Sequence, residues 1–314
     1  MYQKDGQRYF VVDGHMHYWN AAPDNWVPGA EQYAKGWIEC FHAYQGLGPP
    51  ATHWPIEHFQ KYSEDDLMKD VFENGYVDVA IFQPTYLKEW YKEGFNTTER
   101  NALMGEKHPG KFVYNTRFDP RDGEAGLQEL RRNVERFGSR GLKLYTAEWN
   151  KGSRGYKLSD PEAYTFLGAA QDLGIKNIHV HKGPTIWPLD KDAFDVADVD
   201  HAATDFPNLN FIIEHVGLPR IEDFCFMATQ EPNVYAGLAW SSAGSCTRGP
   251  SSSPRSWASC CSGSARTRCC SAATTRSGSR SGRSRGSSTG RCPTTPSCLT
   301  TRGWAPRARR RSWA

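Results

Sequence analysis

At residue 240 the chain changes vocabulary, and that change limits what it can fold into. Residues 240–314 use nine amino-acid types, contain no Ile, Val, Phe, Tyr or Met, and have one Leu, Leu299. A stretch so poor in apolar side chains cannot offset the entropy of ordering itself. Any hydrophobic core must therefore come from residues 1–239. Charge divides at the same point, with −11 over 1–239 and +14 over 240–314, which together give the +3 of the 314-residue chain. All ten His precede the boundary and seven of the nine Cys follow it.

Three readings of residues 240–314 compete. A disordered Arg/Ser tail could grip nucleic acid electrostatically. The doublets Cys260-Cys261 and Cys269-Cys270 could suggest a metal, but they lack the two-residue spacers and His partners of zinc sites. The third reading is a GC-rich gene translated out of frame from about residue 240. When the last base of each codon is joined to the first two of the next, Ser codons yield Phe, Leu, Ile or Val, and Cys codons yield Leu, Met or Val. With suitable third bases, Ser241 to Cys246 read Val-Ile-Gly-Gly-Leu-Met and Ser271 to Thr275 read Phe-Gly-Ser-Asp-Tyr. A hydrophobic pattern absent from one frame is thus present in another, and the out-of-frame reading is preferred. Nucleic-acid binding is not expected.

The first 239 residues alternate strand and helix signals. Strands are predicted at Tyr9–His15, Val77–Gln83, Phe112–Arg117, Gly141–Tyr145, Lys176–His181, Asn210–Glu214 and Asn233–Leu238. Between them, Ser63–Asn74 opens on a cap (Ser63, with Asp66 three residues on), and Asp160-Pro161 starts another helix with Pro in its first turn. Glu124–Phe137 is the third amphipathic stretch. Seven β/α units predict an α/β fold, a TIM-type (β/α)8 barrel lacking its eighth unit. A doubly wound sheet is the alternative, but no G-x-G-x-x-G follows the first strand. Residues 1–239 are the expected barrel domain and 240–314 the expected unstructured segment. Tyr18–Tyr62 is a long aromatic insertion after the first strand and a candidate lid.

Histidines fall at strand ends, where barrel enzymes hold their chemistry. In VVDGHMHYW, residues Asp13, His15 and His17 alternate, which predicts one shared face at the barrel mouth. His-x-His there fits a metal ligand pair better than two packed core residues. The fifth strand ends in His179 and His181, and the sixth in Glu214 and His215. Glu214, adjacent to His215, is expected on the opposite, helix-facing side. The remaining histidines, His42, His53, His58, His108 and His201, have no partner spacing and are expected at the surface.

Together these motifs resemble the amidohydrolase superfamily, specifically its amidohydrolase-related branch of aminocarboxymuconate-semialdehyde decarboxylase-like proteins, over Val11 to Ala239. The resemblance implies His15, His17 and His181 as ligands of one divalent metal, most simply zinc, and His215 as the catalytic histidine. The family's last ligand is an Asp on the eighth strand, often in Gly-Ser-Asp. No acidic residue follows Glu231, so that ligand is missing here, and the shifted-frame Phe-Gly-Ser-Asp-Tyr would supply it. The implied activity is metal-dependent hydrolysis of a small, aromatic or carboxylated substrate through a metal-activated water, impaired in this chain. Non-oxidative decarboxylation is the alternative within the family, and a non-catalytic binding protein with a basic tail is the alternative outside it.

Lys143, on the fourth strand, is a candidate for a substrate carboxylate, for the carboxylated Lys of binuclear relatives, or for a buried ion pair. Arg117 could bind an anionic substrate or pair with a nearby Asp. Trp187, with Trp19, Trp26, Trp37, Trp54 and Trp149, could wall a flat substrate or pack the insertion on the barrel rim. His179 could orient a ligand or simply pack. No apolar run is long enough for a membrane helix, and the polar N-terminus does not read as a signal peptide. Cys40 and Cys225 alone give no disulfide framework in residues 1–239. A cytoplasmic enzyme with a small-molecule substrate is expected, and a homo-oligomer is compatible.

Overall fold

The computed structural model describes residues 2–47, 50, 53–239 and 269–270, all within one unit, Met1–Ser279. A short antiparallel hairpin comes first, β1 (Tyr2–Lys4) and β2 (Gln7–Tyr9), so Tyr9 belongs to the hairpin and not to the first barrel strand. Seven parallel strands follow: β3 (Val12–Met16), β4 (Val79–Phe82), β5 (Phe112–Thr116), β6 (Gly141–Leu144), β7 (Asn177–His181), β8 (Asn210–Glu214) and β9 (Val234–Gly237). They lie side by side in chain order, each pairing with the next, which is the expected (β/α) barrel topology curled into a partial barrel. Beyond β9, the two-residue β10 (Cys269–Cys270) pairs in parallel with Ala236 and Gly237. The expectations for the rest of 240–314, namely frameshift, basic tail and missing eighth-strand Asp, lie outside the described residues.

Helices cover the sheet: α1 (Glu31–Ala43), α2 (Ile56–Gln60), α3 (Glu64–Leu67), α4 (Thr98–Lys107), α5 (Gly123–Phe137), α6 (Pro161–Asp172), α7 (Ala197–Asp205) and α8 (Ile221–Gln230). Among the described residues none is long and apolar enough to cross a membrane. The Ser63 cap forms as predicted, accepting from the backbone N–H of Asp66 at 3.0 Å, but the helix widens after α3 into a π-helical turn over Met68–Asn74. Asp160 precedes α6 as expected, yet its carboxylate accepts from the N–H of Lys157 and not from the helix. α5 ends where Gly138 takes a left-handed φ of 57°, the glycine stop that lets the chain turn into β6.

The strands alternate as pleated geometry requires. Leu142, Leu144, Ile178, Val180, Phe211, Ile213, Val234 and Ala236 point outward into a core shared with helix residues such as Leu130, Phe166, Leu167, Val199 and Phe224. Each such buried side chain contributes about 1.5–3 kcal/mol against exposure. That outward core leaves the opposite face of the same strands free for polar residues. A second apolar cluster joins the insertion (Trp37, Ile38, Phe59) to loops after β4 (Leu87, Trp90, Phe95), β6 (Tyr145, Ala147) and β7 (Leu189, Phe194). The insertion therefore packs over the C-terminal ends of the strands, where the histidines lie.

Candidate functional site

Register decides which side chains share the interior. Lys143 of β6 pairs with His179 of β7, His181 pairs with Glu214 of β8, and Glu214 pairs with Gly237 of β9. Residues in register on neighbouring parallel strands point the same way, so Lys143, His179, His181 and Glu214 all face inward. The expectation that Glu214 faces the helices is thereby corrected. Its carboxylate is buried, with Oε2 2.9 Å from His15 Nδ1 and Oε1 2.8 Å from His179 Nδ1. Alternation within β8 puts Glu214 inward, opposite to Phe211 and Ile213; the expectation erred by extending the strand to His215, one residue past its end. His215 and Val216 adopt left-handed φ values of 62° and 50°, so the chain turns and two successive residues serve one site.

On β3 the register slips between Asp13 and Met16. The expected alternation from Asp13 to His15 is therefore interrupted, and Asp13 instead accepts the backbone N–H of His15 at 3.0 Å. Burial pushes the Asp13 carboxyl up to about 6, against the lowering effect of that N–H. His15 and His17 nevertheless come together, their Nε2 atoms 2.9 Å apart. His17 Nδ1 donates to the Gln83 carbonyl at 2.7 Å, which leaves its Nε2 as a bare lone pair. Asn96 Nδ2 braces the same carbonyl at 2.6 Å. Burial lowers the pKa of both His15 and His17, with His15 and Lys143 depressing His17 further.

His181 and His215 form a second pair, with Nδ1 of the first 3.2 Å from Nε2 of the second. His215 Nδ1 donates to the Ala239 carbonyl at 2.7 Å. Burial, with His15 and Lys143 nearby, brings His215 down to about 3, and it holds His181 well below the usual imidazole range. His181 is flanked by Tyr145 and Phe194, each with ring centroids 4.5 Å away. His15 and His215 have ring centroids 5.6 Å apart, which links the two pairs. The neighbouring Lys182 ammonium is buried in an ion pair with Asp198 at 2.7 Å and donates to the Ala193 carbonyl, anchoring the loop after β7.

Gly183 is needed for this packing. A Cβ there would lie 2.9 Å from both Cβ and Cδ2 of His215. Gly183→Ala is expected to displace the imidazole and to cost about 1–3 kcal/mol, as overpacking does. Urea denaturation of the variant checks it, and an unchanged midpoint would mean that His215 moves freely.

Of the other predicted residues, Lys143 belongs to the site and two do not join it. Lys143 is 1% exposed and its Nζ makes no hydrogen bond. Burial lowers it to about 8, with Glu214 opposing. Arg117 pairs with Glu148 at 3.5 Å, lies 4.3 Å over the Tyr86 ring, and lines a separate cleft of about 430 Å³ with Lys88, Arg132 and Trp149. Its partner is Glu148 and not the Asp suggested by sequence. Trp187 is 69% exposed and packs against Tyr33 of the insertion, a rim position. Sequence reasoning missed Gln83, Asn96, Tyr145 and Phe194. Gln83 and Tyr145 each end a predicted strand, and that position was the one signal available.

These donors fit a divalent cation in part. Two ring nitrogens 2.9 Å apart, Nε2 of His15 and Nε2 of His17, require a cation or a proton between them. Asp13 Oδ2, Lys143 Nζ and Glu214 Oε2 are buried without hydrogen-bond partners in the same interior, a state that costs roughly 1–3 kcal/mol per group. Among the described residues, however, no three His, Cys, Asp or Glu side chains are already gathered in an arrangement that would hold a metal. The chain presents a two-nitrogen seat with a third imidazole, His181, on a neighbouring pair.

Among solved structures, this chain is similar to a TIM-barrel protein of Bordetella bronchiseptica, at 18% identity and TM-score 0.54, over 73% of this chain and 74% of that one. It is also similar to the 5-carboxyvanillate decarboxylase of Novosphingobium aromaticivorans, solved with bound manganese, at 12% identity and TM-score 0.50, over 86% of this chain and 88% of that one. At these identities the likeness is one of fold. No curated protein matches the sequence. Residues 12–261 match the family described as Amidohydrolase, which takes in all seven barrel strands and both histidine pairs, and the chain belongs to that family.

Proposed function

We propose that the protein is a metal-dependent hydrolase of a small, carboxylated substrate, the metal being divalent, zinc or manganese. The observation that carries this is the His15–His17 pair, its Nε2 atoms 2.9 Å apart, with the Gln83 carbonyl hydrogen-bonded behind His17 and the Glu214 carboxylate within ion-pair distance behind His15. His15 and His17 would hold the ion and His181 is the third imidazole at the same mouth. The fourth ligand, an eighth-strand Asp, is absent from the sequence as written. When bound, such an ion supplies Lewis acidity and brings a water toward neutral pKa. The protein's own residues do the rest. The Lys143 ammonium binds a substrate carboxylate. His215, neutral and hydrogen-bonded through Nδ1, accepts or returns a proton at Nε2. The insertion excludes bulk water from above.

A carboxy-lyase is the second reading, and it is favoured by the buried ammonium of Lys143, which can hold a carboxylate against the metal seat. Calorimetric titration of the metal-free protein with Mn²⁺ or Zn²⁺ tests both readings at their shared step. One equivalent is expected, weakened at least about tenfold in His15→Ala and in His17→Ala, the lower end of what losing even a supporting residue costs. Equal binding by all three proteins would remove the site. Release of CO₂ from a carboxylated phenol, with no ester or lactone turnover, would select the second reading.

A further inference from the structure

Glu214 reaches two imidazoles that belong to different strands. Oε2 lies within ion-pair distance of His15 Nδ1 on β3, at 2.9 Å though not aligned as a hydrogen bond, and Oε1 accepts from His179 Nδ1 on β7 at 2.8 Å. An ionised carboxylate offers only lone pairs, so each nitrogen facing it must carry the proton. Gln83 Nε2 also lies 3.2 Å from His179 Nδ1 and has a second N–H beside the one it gives the Gly14 carbonyl, but the carboxylate oxygen, closer at 2.8 Å, can only accept and so claims the Nδ1 proton. Lys143, buried in the same interior, supplies the positive charge opposite the carboxylate.

With its proton at Nδ1, a neutral His15 has its lone pair at Nε2, the atom that faces His17. The backbone carbonyl of Gln83 does the same for His17. Room for the carboxylate is built in as well, because a Cβ on Gly237, its register partner on β9, would collide with Oε2. β3 and β8 are separated by four strands in the sheet, so the contact crosses the interior and ties the first barrel strand to the sixth.

We infer that Glu214 is the positioning carboxylate of this site, fixing the Nδ1–H tautomer of His15 and His179 so that the His15 Nε2 lone pair is aimed at the His17 seat. Its effect on ion affinity rests on the metal-binding reading above, whereas the tautomers belong to the metal-free protein. Long-range ¹H–¹⁵N correlation of the imidazoles in metal-free protein at neutral pH is expected to show His15 and His179 as Nδ1–H. In Glu214→Gln the amide can accept from only one ring. His15 or His179 is then expected to move toward Nε2–H, and Mn²⁺ affinity to fall about 10–100-fold, as for other supporting residues. His15 found as Nε2–H in the unsubstituted protein overturns the inference, and that measurement needs no variant to fold. Unchanged tautomers and affinity in Glu214→Gln overturn it equally. If the tautomers respond but neither protein binds Mn²⁺, the positioning role stands and the metal reading falls.

Discussion

Lys143→Met is expected to stabilise the protein by about 1–3 kcal/mol at pH 7 while removing its ability to bind a carboxylate. The ammonium is 1% exposed, makes no hydrogen bond and is attracted by the Glu214 carboxylate. A buried charge in that state costs more than a methionine of similar volume. Loss of its attraction for Glu214 subtracts from the gain but does not cancel it, because Glu214 keeps His15 and His179. The sign of the pH dependence follows from the direction of the shift. The folded-state value is lowered from 10.5 to about 8, so between those values the unfolded chain binds more protons than the folded one. Stability contributed by this group therefore rises with pH from about 8 to about 10.5, by about 3 kcal/mol in all. Urea denaturation at pH 7, 8, 9 and 10 should show that rise in the unsubstituted protein and a flat profile in Lys143→Met. Benzoate should raise the melting temperature of the former only. A destabilised variant with the same slope would mean that Nζ has a partner of greater worth than Glu214 and that the residue is structural.

The parts of this site that were legible in the sequence are those that depend on position along a strand. His15, His17, His181 and His215 could be placed at strand ends because β-branched and aromatic runs mark the strands, and a barrel carries its chemistry at one end of them. Lys143 could be placed on the fourth strand but not given a role, since a Lys in a strand reads equally as surface, ion pair or ligand. Only its missing partner separates these. Glu214 was assigned to the wrong face, because period-two alternation presumes that the strand continues. The left-handed φ at His215 and Val216 turns the chain directly after Glu214, and Gly217 and Pro219, which mark that turn in the sequence, stand too far along to show on which residue it begins. Cross-strand register, which pairs Glu214 with His181 and Gly237, would have corrected the error, but register is a property of the folded sheet. The roles of Gln83 and Asn96 were not legible for a different reason. A backbone carbonyl that orients an imidazole carries no side-chain signature, and an Asn that braces that carbonyl looks like any other loop amide. Arg117 illustrates the converse, a charged residue at a strand end that the fold satisfies locally, through Glu148 and the face of Tyr86.

Restoring the shifted frame after residue 239 is expected to change the protein more than any point substitution. β3 has a neighbour on one side only among the described residues, and Val12 on it is 41% exposed. A (β/α)8 barrel would fill that gap with an eighth strand lying between β9 and β3. β10 already runs in the lane beside β9, with Cys270 opposite Gly237, which is opposite Glu214, which is opposite His181. A strand in that lane therefore delivers the residues just after position 270 to the level of the histidines. With suitable third bases those residues read Phe-Gly-Ser-Asp-Tyr in the shifted frame, which would bring a carboxylate to the mouth as the missing ligand. Covering two or three apolar side chains along the closed seam contributes about 3–9 kcal/mol. At about 2–4 °C per kcal/mol for a domain of this size, that corresponds to a rise in melting temperature of roughly 6–36 °C. The frame-restored protein should also bind one divalent ion tightly enough to survive gel filtration, and changing the recovered Asp to Asn should abolish that retention. A coding sequence found to be in frame as written, together with a frame-restored protein that melts no higher and holds no metal, would show that residues 240–314 were never the closing unit. Salt-sensitive nucleic-acid binding lost on trimming those residues would then identify them as a basic tail.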